Sequence, residues 1–543
     1  MKKTKAAAAK QPTETKVDGA SNGNGTDARE AKALSIPNFL IHVRNEADFF
    51  QAPNGEAYFT TNGLDELPKQ TFKLNSPEGK RWLHRLHYDR TGLGLRPGDL
   101  EVVVATLAAD AQFGGASEQS VYIRTAKHDD DYYIDVVGPE RRTVRVNKSG
   151  WEYVDGGNYR DPGEIPVKFV RPSGMKPLPE PTRGGNVDRL WEAANIKGDV
   201  DRLLTLGFCL ECFRPDTPYP ILNLKGPPGS AKSSTHRAIV GVIDPIEVVF
   251  SNVEEGCSGF DAMAGKQHVL SYENVSALSR QQQDRLCTIS TGGGVSKRTL
   301  YTTNDVTNVH LHNPVIVNGI HTVVSAPDLI SRTITIELPM MADETKNGDG
   351  EMTALRGHIG SEVFGGLLDL FVSTLQKLDE IGRPTVSYGR LVDFQHLAEA
   401  MSQALGYEAN SFSDAYKKRL ARDSVATVEN SAVGYAVVKF TERPNVEVVI
   451  NSKSRSGLPE GVVFRGKQGD LFDALRKSSI GGATEDSWPR STKTFGDQLR
   501  LLMPSLKQRG ILIREWQSMG RKHIEIKKCS AVFNAFSETK GNL

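Results

Sequence analysis

The residues best placed to do chemistry lie in ILNLKGPPGSAKSST at 221–235. An apolar strand runs into a glycine- and proline-rich loop, and Lys232 and Ser233 open what reads as a helix. Such a loop can turn its amide N–H groups toward phosphate oxygens, and a helix N-terminus adds a favourable dipole. The candidate phosphate-contacting run is Gly226, Pro227, Pro228, Gly229, Ser230, Ala231, Lys232, Ser233 and Ser234. At this spacing Lys232 would reach the β- and γ-phosphates and the Ser233 hydroxyl would ligate Mg²⁺. Ala231 stands where the usual GxxxxGK[ST] pattern has glycine. Its methyl group is tolerated at a helical φ and costs energy at a positive one.

Four later blocks could complete such a site. KQHVLSYENV at 266–275 is a short apolar strand ending in Glu273 and Asn274. An acid at a strand tip beside the loop strand suits a carboxylate that holds Mg²⁺ or activates water. The plainer reading of Glu273 is a solvent-facing strand-end acid. TGGGVSKRTLYTTND at 291–305 is a glycine-rich turn carrying Lys297 and Arg298. NPVIVNGI at 313–320 is another apolar strand with Asn318, which also reads as a turn-former before Gly319. SAPDLISRTITIEL at 325–338 puts Arg332 just before a strand, where a salt bridge to Asp328 is an equal reading. His310 and His312 alternate on one strand face and read as exposed polar positions, and Cys209 and Cys212 read as core residues of a helix rather than zinc ligands.

Taken in this order, the blocks within 226–332 resemble the compact ATPase core of superfamily 3 helicases and the primase-helicase-type ATPases of phages and mobile elements. The TGGG segment with Arg298, then PVIVNGI and DLISR, look closest to ATP-binding primase or helicase components encoded by bacterial phages and elements. The resemblance spans roughly 36–528 and is most specific over 221–338. It implies an α/β P-loop NTPase core of the AAA+/superfamily 3 kind, with ATP and Mg²⁺ bound. It also implies roles: Lys232 and Ser233 on phosphate and Mg²⁺, and Glu273 as the acid of the second motif. Asn318 becomes the sensor of the attacking water, Arg332 an arginine finger presented to a neighbouring subunit, and Arg298 a residue of the loop that communicates with DNA. The sequence departs from the pattern at Ala231, and many relatives have Asp where Glu273 stands.

Residues 467–528 read as helix, loop, helix, a short helix at 505–509, then two strands joined at 518–521, the order of a winged helix-turn-helix. Between 487 and 528 there are ten Lys/Arg and three Asp/Glu, a footprint of nucleic-acid binding. Lys493 and Arg500 on the second helix, with Arg521 and Lys522 at the hairpin tip, are the candidate DNA contacts. The alternative is a winged helix that docks protein.

These parts must be positioned by a chain of 543 residues, long enough for several domains. We expect a disordered tail over 1–35, an N-terminal β-rich domain with a Pro-rich linker over 36–185, and the ATPase domain with a helical lead-in over 186–385. A helical domain at 386–450, the winged helix at 451–530 and a tail at 531–543 complete the division. With 67 Lys/Arg against 66 Asp/Glu, net charge +1 gives no bulk attraction to nucleic acid, so any such surface is local. No apolar run approaches the ~20 residues of a membrane span. MKKTKAAAAKQ lacks the apolar segment of a signal peptide, and five scattered cysteines suit a reducing cytoplasm. Asp129–Asp131 and Asp135 lack the supporting His expected of a nucleotidyl-transfer site. The expected function is ATP hydrolysis driving a DNA helicase or replication motor of a phage or mobile element, with DNA and copies of the chain in a ring such as a hexamer as partners. The rival readings are an ATP-dependent DNA-binding switch that does not unwind, and more remotely a small-molecule kinase.

Overall fold

The computed structural model describes residues 34–62, 69–115, 118–138, 142–154, 165–298, 306–320, 323–342, 348–386, 388–442, 461–477, 488–518 and 520–529. Residues 1–33 of the expected N-terminal tail, the C-terminal tail 531–543, and 451–460 at the start of the expected winged helix lie outside these residues.

The N-terminal unit holds helix α1 (Ile36–Glu46), strands β1 (Ala47–Gln51), β2 (Ala57–Thr61) and β3 (Thr71–Lys73), and helices α2 (Pro77–Thr91) and α3 (Pro97–Phe113). The strands form one antiparallel sheet in the order β1-β2-β3. Ser76 caps α2 by accepting from the Gly79 amide, with Pro77 at the first helical position and Gly92 at φ 71° beyond its end. Phe39, Val43, Phe59, Leu83, Val103 and Leu107 make a core of their own. This first part of the 36–185 segment is therefore more helical than the β-rich domain expected of it.

Strands β4 (Val121–Tyr122), β5 (Thr125–His128), β6 (Asp131–Asp135), β7 (Thr143–Asn147), β8 (Gly150–Val154) and β9 (Lys168–Phe169) follow. β5 to β8 form an antiparallel meander, the β-rich part of the expected domain, whereas β9 pairs in parallel with β4.

The middle of the chain runs α4 (Leu190–Ala193), α5 (Asp199–Glu211), β10 (Ile221–Lys225), α6 (Lys232–Ile243), α7 (Ser258–Ala264), β11 (Leu270–Tyr272) and α8 (Arg280–Thr291). It continues with the β12 (Gly293–Arg298) and β13 (Val306–Leu311) hairpin, β14 (Val315–Gly319), α9 (Pro327–Ile330), β15 (Thr333–Glu337) and the long α10 (Asp349–Ile381). Four strands make a parallel sheet in the order β11-β14-β10-β15. Both faces are covered, which is why these strands read as unbroken apolar runs. Leu222, Leu224, Ile316, Ile334 and Ile336 join one core, while Ile221, Val315, Val317, Leu270 and Tyr272 join a second with residues of α7, α8 and α9. Cys209 and Cys212 are buried in the first, and burial pushes the Cys209 thiol up to about 12.

That first core also takes Tyr132, Ile134, Val144, Val146 and Trp151 from the meander. The Tyr132 ring lies 5.2 Å from Phe371 of α10, and the Trp151 indole donates to Asp369 at 2.7 Å. A boundary at 185 therefore divides the chain without dividing the core. Helices α11 (Val392–Ala404), α12 (Ser411–Asn430) and α13 (Ala432–Glu442) likewise fail to form the separate domain expected over 386–450. Phe394, Leu397, Phe412 and Tyr416 pack in the central core, whereas Val433, Val437 and Phe440 of α13 pack with the C-terminal module.

That module comprises β16 (Val462–Lys467), α14 (Gln468–Lys477), α15 (Thr492–Gln508), β17 (Ile511–Ser518) and β18 (Arg521–Lys528). Its antiparallel sheet has the order β16-β18-β17. Two details differ from expectation. Residues 505–508 of the expected short helix belong to the end of α15, which continues past Pro504, and β16 adds a strand before the first helix. No helix among the described residues is long and apolar enough to cross a membrane.

One buried ion pair joins the meander to the sheet. Arg124, fully buried at φ 67°, donates to Asp244 Oδ1 at 2.8 Å and to the carbonyls of Asp135, Lys176 and Pro245. Removing one partner of a buried pair strands the other, at about 3–5 kcal/mol. Arg124→Ala should therefore lower the thermal unfolding midpoint markedly, whereas truncating exposed, ion-paired Arg85 should barely move it; equal midpoints in calorimetry would refute this.

Candidate phosphate-binding site

β10 delivers the chain to residue 225, the loop 226–231 turns it, and α6 begins at Lys232. A methyl group on Gly226 would stand 2.4 Å from Ser230 Oγ and 2.8 Å from the Leu338 carbonyl, so the turn admits only glycine there. Gly229 has φ +80°, and Ala231 sits at φ 55°, ψ 34°. The substitution at Ala231 thus falls in the costly, left-handed case, worth about 1–2 kcal/mol. Asn195 holds the loop from behind, its amide donating to the carbonyls of Ser230 (3.1 Å) and Pro339 (2.8 Å), and its backbone N–H donates to Thr235 Oγ1. Nothing in the sequence singled out Asn195, because a lone Asn 31 residues before the loop has no pattern.

Lys232 is 9% exposed, and its ammonium donates to the carbonyls of Gly226 and Pro227, both at 2.9 Å. Burial lowers its pKa. The next residue makes the central contact: the Ser233 hydroxyl donates to Glu273 Oε1 across the gap between α6 and the end of β11. A hydroxyl and a carboxylate meeting beside a lysine at a glycine-rich loop are oxygen donors of the kind that hard divalent cations take. The loop N–H groups and the α6 N-terminus suit the phosphates that such a cation accompanies.

β14 stands between β10 and β11, with Asn318 level with Leu224. Asn318 is fully buried. Its Oδ1 accepts from the Asn274 N–H at 3.0 Å, which leaves its Nδ2 to face His236 Nδ1 at 3.0 Å. That arrangement assigns Nδ1 of His236 as acceptor and puts the ring proton on Nε2. Burial holds the His236 pKa down to about 3, so the ring is neutral. Asn274 itself has φ 53°, a conformation that Asn tolerates better than most residues. Asn318 therefore shapes the turn directly after Glu273, and its buried amide differs from the water-facing sensor expected of it. His236, one turn into α6, is the partner that the sequence did not reveal.

Arg332 makes the salt bridge to Asp328 that was the equal reading of its position. Its side chain is 10% exposed and bonds within its own subunit to Asp328, at 2.7 Å to the carbonyl and 3.0 Å to the carboxylate. An arginine finger needs a guanidinium at the subunit edge, and here the exposed partner of Asp328 is Arg390. Arg298 ends β12 opposite Val306; its side chain and residues 299–305 are outside the described set. His312 is not an exposed polar position either, since its ring bonds the Thr217 carbonyl at 3.0 Å against Tyr219. In the C-terminal module, Lys493 is exposed in the first turn of α15, and Arg521 and Lys522 are exposed beside the β17–β18 turn. Arg500 is instead held by Asp497 at 2.7 Å and Glu515 at 2.8 Å, which competes with any phosphate contact.

Two segments match family models. Residues 187–423 match the replication protein of actinomycete integrative conjugative elements, and 433–538 match the C-terminal domain of that RepA protein. Both matches are to one kind of mobile-element replication protein. No curated protein matches the chain. Among solved structures, the apo C-terminal region of NrS-1 is 11% identical, with a TM-score of 0.39 over 90% of this chain and 98% of that one. The JCV helicase is 12% identical, with a TM-score of 0.24 over 44% of this chain and 64% of that one.

Two outcomes test this geometry. Ala→Gly usually destabilises a helix by about 0.5–1 kcal/mol. At position 231 the left-handed φ reverses the balance, so Ala231→Gly should leave the unfolding midpoint unchanged or raise it; a fall of several degrees would contradict the assignment. If the chain turns ATP over, mixing Arg332→Ala with Lys232→Ala protein, once subunit exchange is verified, should give no more turnover than the Arg332→Ala protein present gives alone. Recovery in the mixture would show that Arg332 acts across subunits.

Proposed function

We propose that this chain is the ATP-hydrolysing replication protein of a mobile element, acting on DNA through a C-terminal winged helix. The observation that carries the reading is the contact of the Ser233 hydroxyl with the Glu273 carboxylate beside Lys232. The likeness of 187–423 and of 433–538 to two parts of a RepA replication protein supports the biological setting. The parallel sheet order and the loop between β10 and α6 support a P-loop NTPase core. In the α14–α15–β17–β18 order, α15 corresponds to the helix that a winged helix presents to DNA.

In this reading loop 226–231 and the start of α6 hold the triphosphate by their amides, and Lys232 turns from the loop carbonyls to the β- and γ-phosphate oxygens. Mg²⁺ bound through Ser233 and Glu273 would neutralise charge on the leaving phosphates. Glu273, with a second carboxylate oxygen beyond the Ser233 contact, orients the attacking water. Asn318 and His236 hold the Asn274 turn so that Glu273 keeps its aim. A homo-oligomeric ring remains part of the proposal, with Lys493, Arg521 and Lys522 on DNA phosphate.

One alternative has specific support. The buried Arg332 and the left-handed Ala231 both suit slow turnover, as in a switch whose nucleotide state sets DNA binding without unwinding. Turnover of ATP with and without single- and double-stranded DNA, together with strand displacement, separates the two. Lys232→Ala should abolish hydrolysis with the fold intact, and EDTA should do the same to the parent. Lys232→Ala turning ATP over at the parent rate would defeat the phosphate reading; DNA-stimulated turnover without displacement would favour the switch.

A further inference from the structure

The three-stranded sheet of the C-terminal module has two very different faces. Ile524 and Ile526 of β18, with Phe464 of β16 and Ile511 of β17, turn inward against α14 and α15. The alternate positions turn outward, and cross-strand register brings them together. Trp516 lies opposite His523, Arg514 opposite Glu525, and Ser518 opposite Arg521, while Arg465 and Lys467 of β16 face Glu525 and His523.

The outer face therefore carries five cations, Arg465, Lys467, Arg514, Arg521 and Lys527, against the single carboxylate of Glu525. Arg465 pairs with that carboxylate at 3.1 Å. Lys467, Arg514, Arg521 and Lys527 form no ion pair with any described residue. On edge strand β17 the half-buried Trp516 indole stacks on the His523 ring of central β18, centroids 5.5 Å apart and planes 20° from parallel, and the Arg465 guanidinium lies 5.7 Å from the indole centroid. No core requirement explains an indole on the solvent side of a small sheet.

Flat rings on a sheet face that also carries unpaired cations fit one chemistry. Unpaired bases stack on aromatic faces while their phosphates follow the surrounding positive charge. Duplex DNA keeps its bases stacked inside and offers an indole no such face. We propose that the outer face of the β16-β18-β17 sheet is a binding platform for single-stranded nucleic acid, with Trp516 as its stacking residue. It lies on the opposite side of the sheet from α15, shares only Arg521 with the DNA contact proposed above, and does not depend on the nucleotide site.

The test uses the full chain without nucleotide and reads fluorescence anisotropy with labelled oligo-dT, oligo-U and a duplex of equal length. Base–aromatic stacking is worth about 1–3 kcal/mol per base, so Trp516→Ala should weaken oligo-dT binding about ten-fold or more. Trp516→Tyr keeps a stacking ring and should stay within about three-fold of the parent. Duplex affinity and DNA-free ATP turnover should not change in either variant. Replacing Arg514 and Lys527 by Ala should flatten the log K against log salt slope for oligo-dT by about 0.7 for each phosphate left without its cation. Weakened binding of oligo-dT and oligo-U together assigns the face to single strands in general, and of oligo-dT alone to DNA. The proposal is overturned if the parent does not bind either single strand, if Trp516→Ala binds as the parent does, or if it loses duplex affinity by the same factor. Failure of the ATP reading would instead appear as unaltered turnover in Lys232→Ala with single-strand binding intact.

Discussion

Asp244 is the joint on which the candidate site depends. It follows the last residue of α6, the helix whose first turn carries Lys232 and Ser233. Its Oδ1 accepts from Arg124 of the meander, and its Oδ2 accepts from the backbone N–H groups of His268 and Val269 at the approach to β11. β11 in turn ends just before Glu273. One buried carboxylate thus sets the spacing between the helix that presents Ser233 and the strand that presents Glu273. An unpaired charge here would be costly to bury, and Arg124 supplies the compensating cation with all its remaining bonds made to backbone. The meander joins the central core through Tyr132, Ile134, Val144, Val146 and Trp151, and Arg124, directly before β5, is anchored with it.

The opposite end of α6 is governed by backbone conformation rather than charge. Ala231 and Asn274 both hold positive φ, one before Lys232 and the other after Glu273. Strain at both flanks of a contact persists only where surrounding bonds over-determine it. Asn195 and the Met341 N–H bond to Gly229 do so for the loop, and Asn318 with His236 does so for the turn. The same packing explains why Asn318 is buried: its amide is engaged by the Asn274 N–H and the neutral His236 ring.

How much of this was legible follows from how far apart the contributing residues lie. The loop, its strand and the Lys232–Ser233 pair are contiguous and carry their geometry in their order. Glu273 could be placed because an acid closing an apolar strand leaves few alternatives. Arg124, Asn195, Asp244 and His236 could not, since each acts through one long-range bond that no local spacing encodes. Helix α3 is hidden for a different reason: LEVVVATLAADA is apolar on nearly every side, so the 3.6-residue alternation that reveals an amphipathic helix is absent. Arg332 carried two equal readings because a position before a strand fixes the backbone but not whether the side chain turns out to a neighbour or in to Asp328.

Domain boundaries were the least legible feature, and α12 shows why. Its 20 residues span about 30 Å at 1.5 Å per residue. Phe412, Tyr416 and Leu420 pack in the central core, while Val428, in its last turns, packs in the C-terminal one. Midway, Arg419 donates to the Thr335 carbonyl of β15 at 2.7 Å and pairs with Asp201 of α5, and Arg422 reaches Glu337 at the end of the same strand. A composition shift marks where a linker is easily inserted, but here the two cores share a continuous helix. The C-terminal module cannot turn relative to the sheet unless α12 bends or its arginines release β15. Since β15 leads through Leu338 to the back of loop 226–231, where Leu338 N–H bonds the Lys225 carbonyl, the attachment of the module and the shape of that loop are set by one strand.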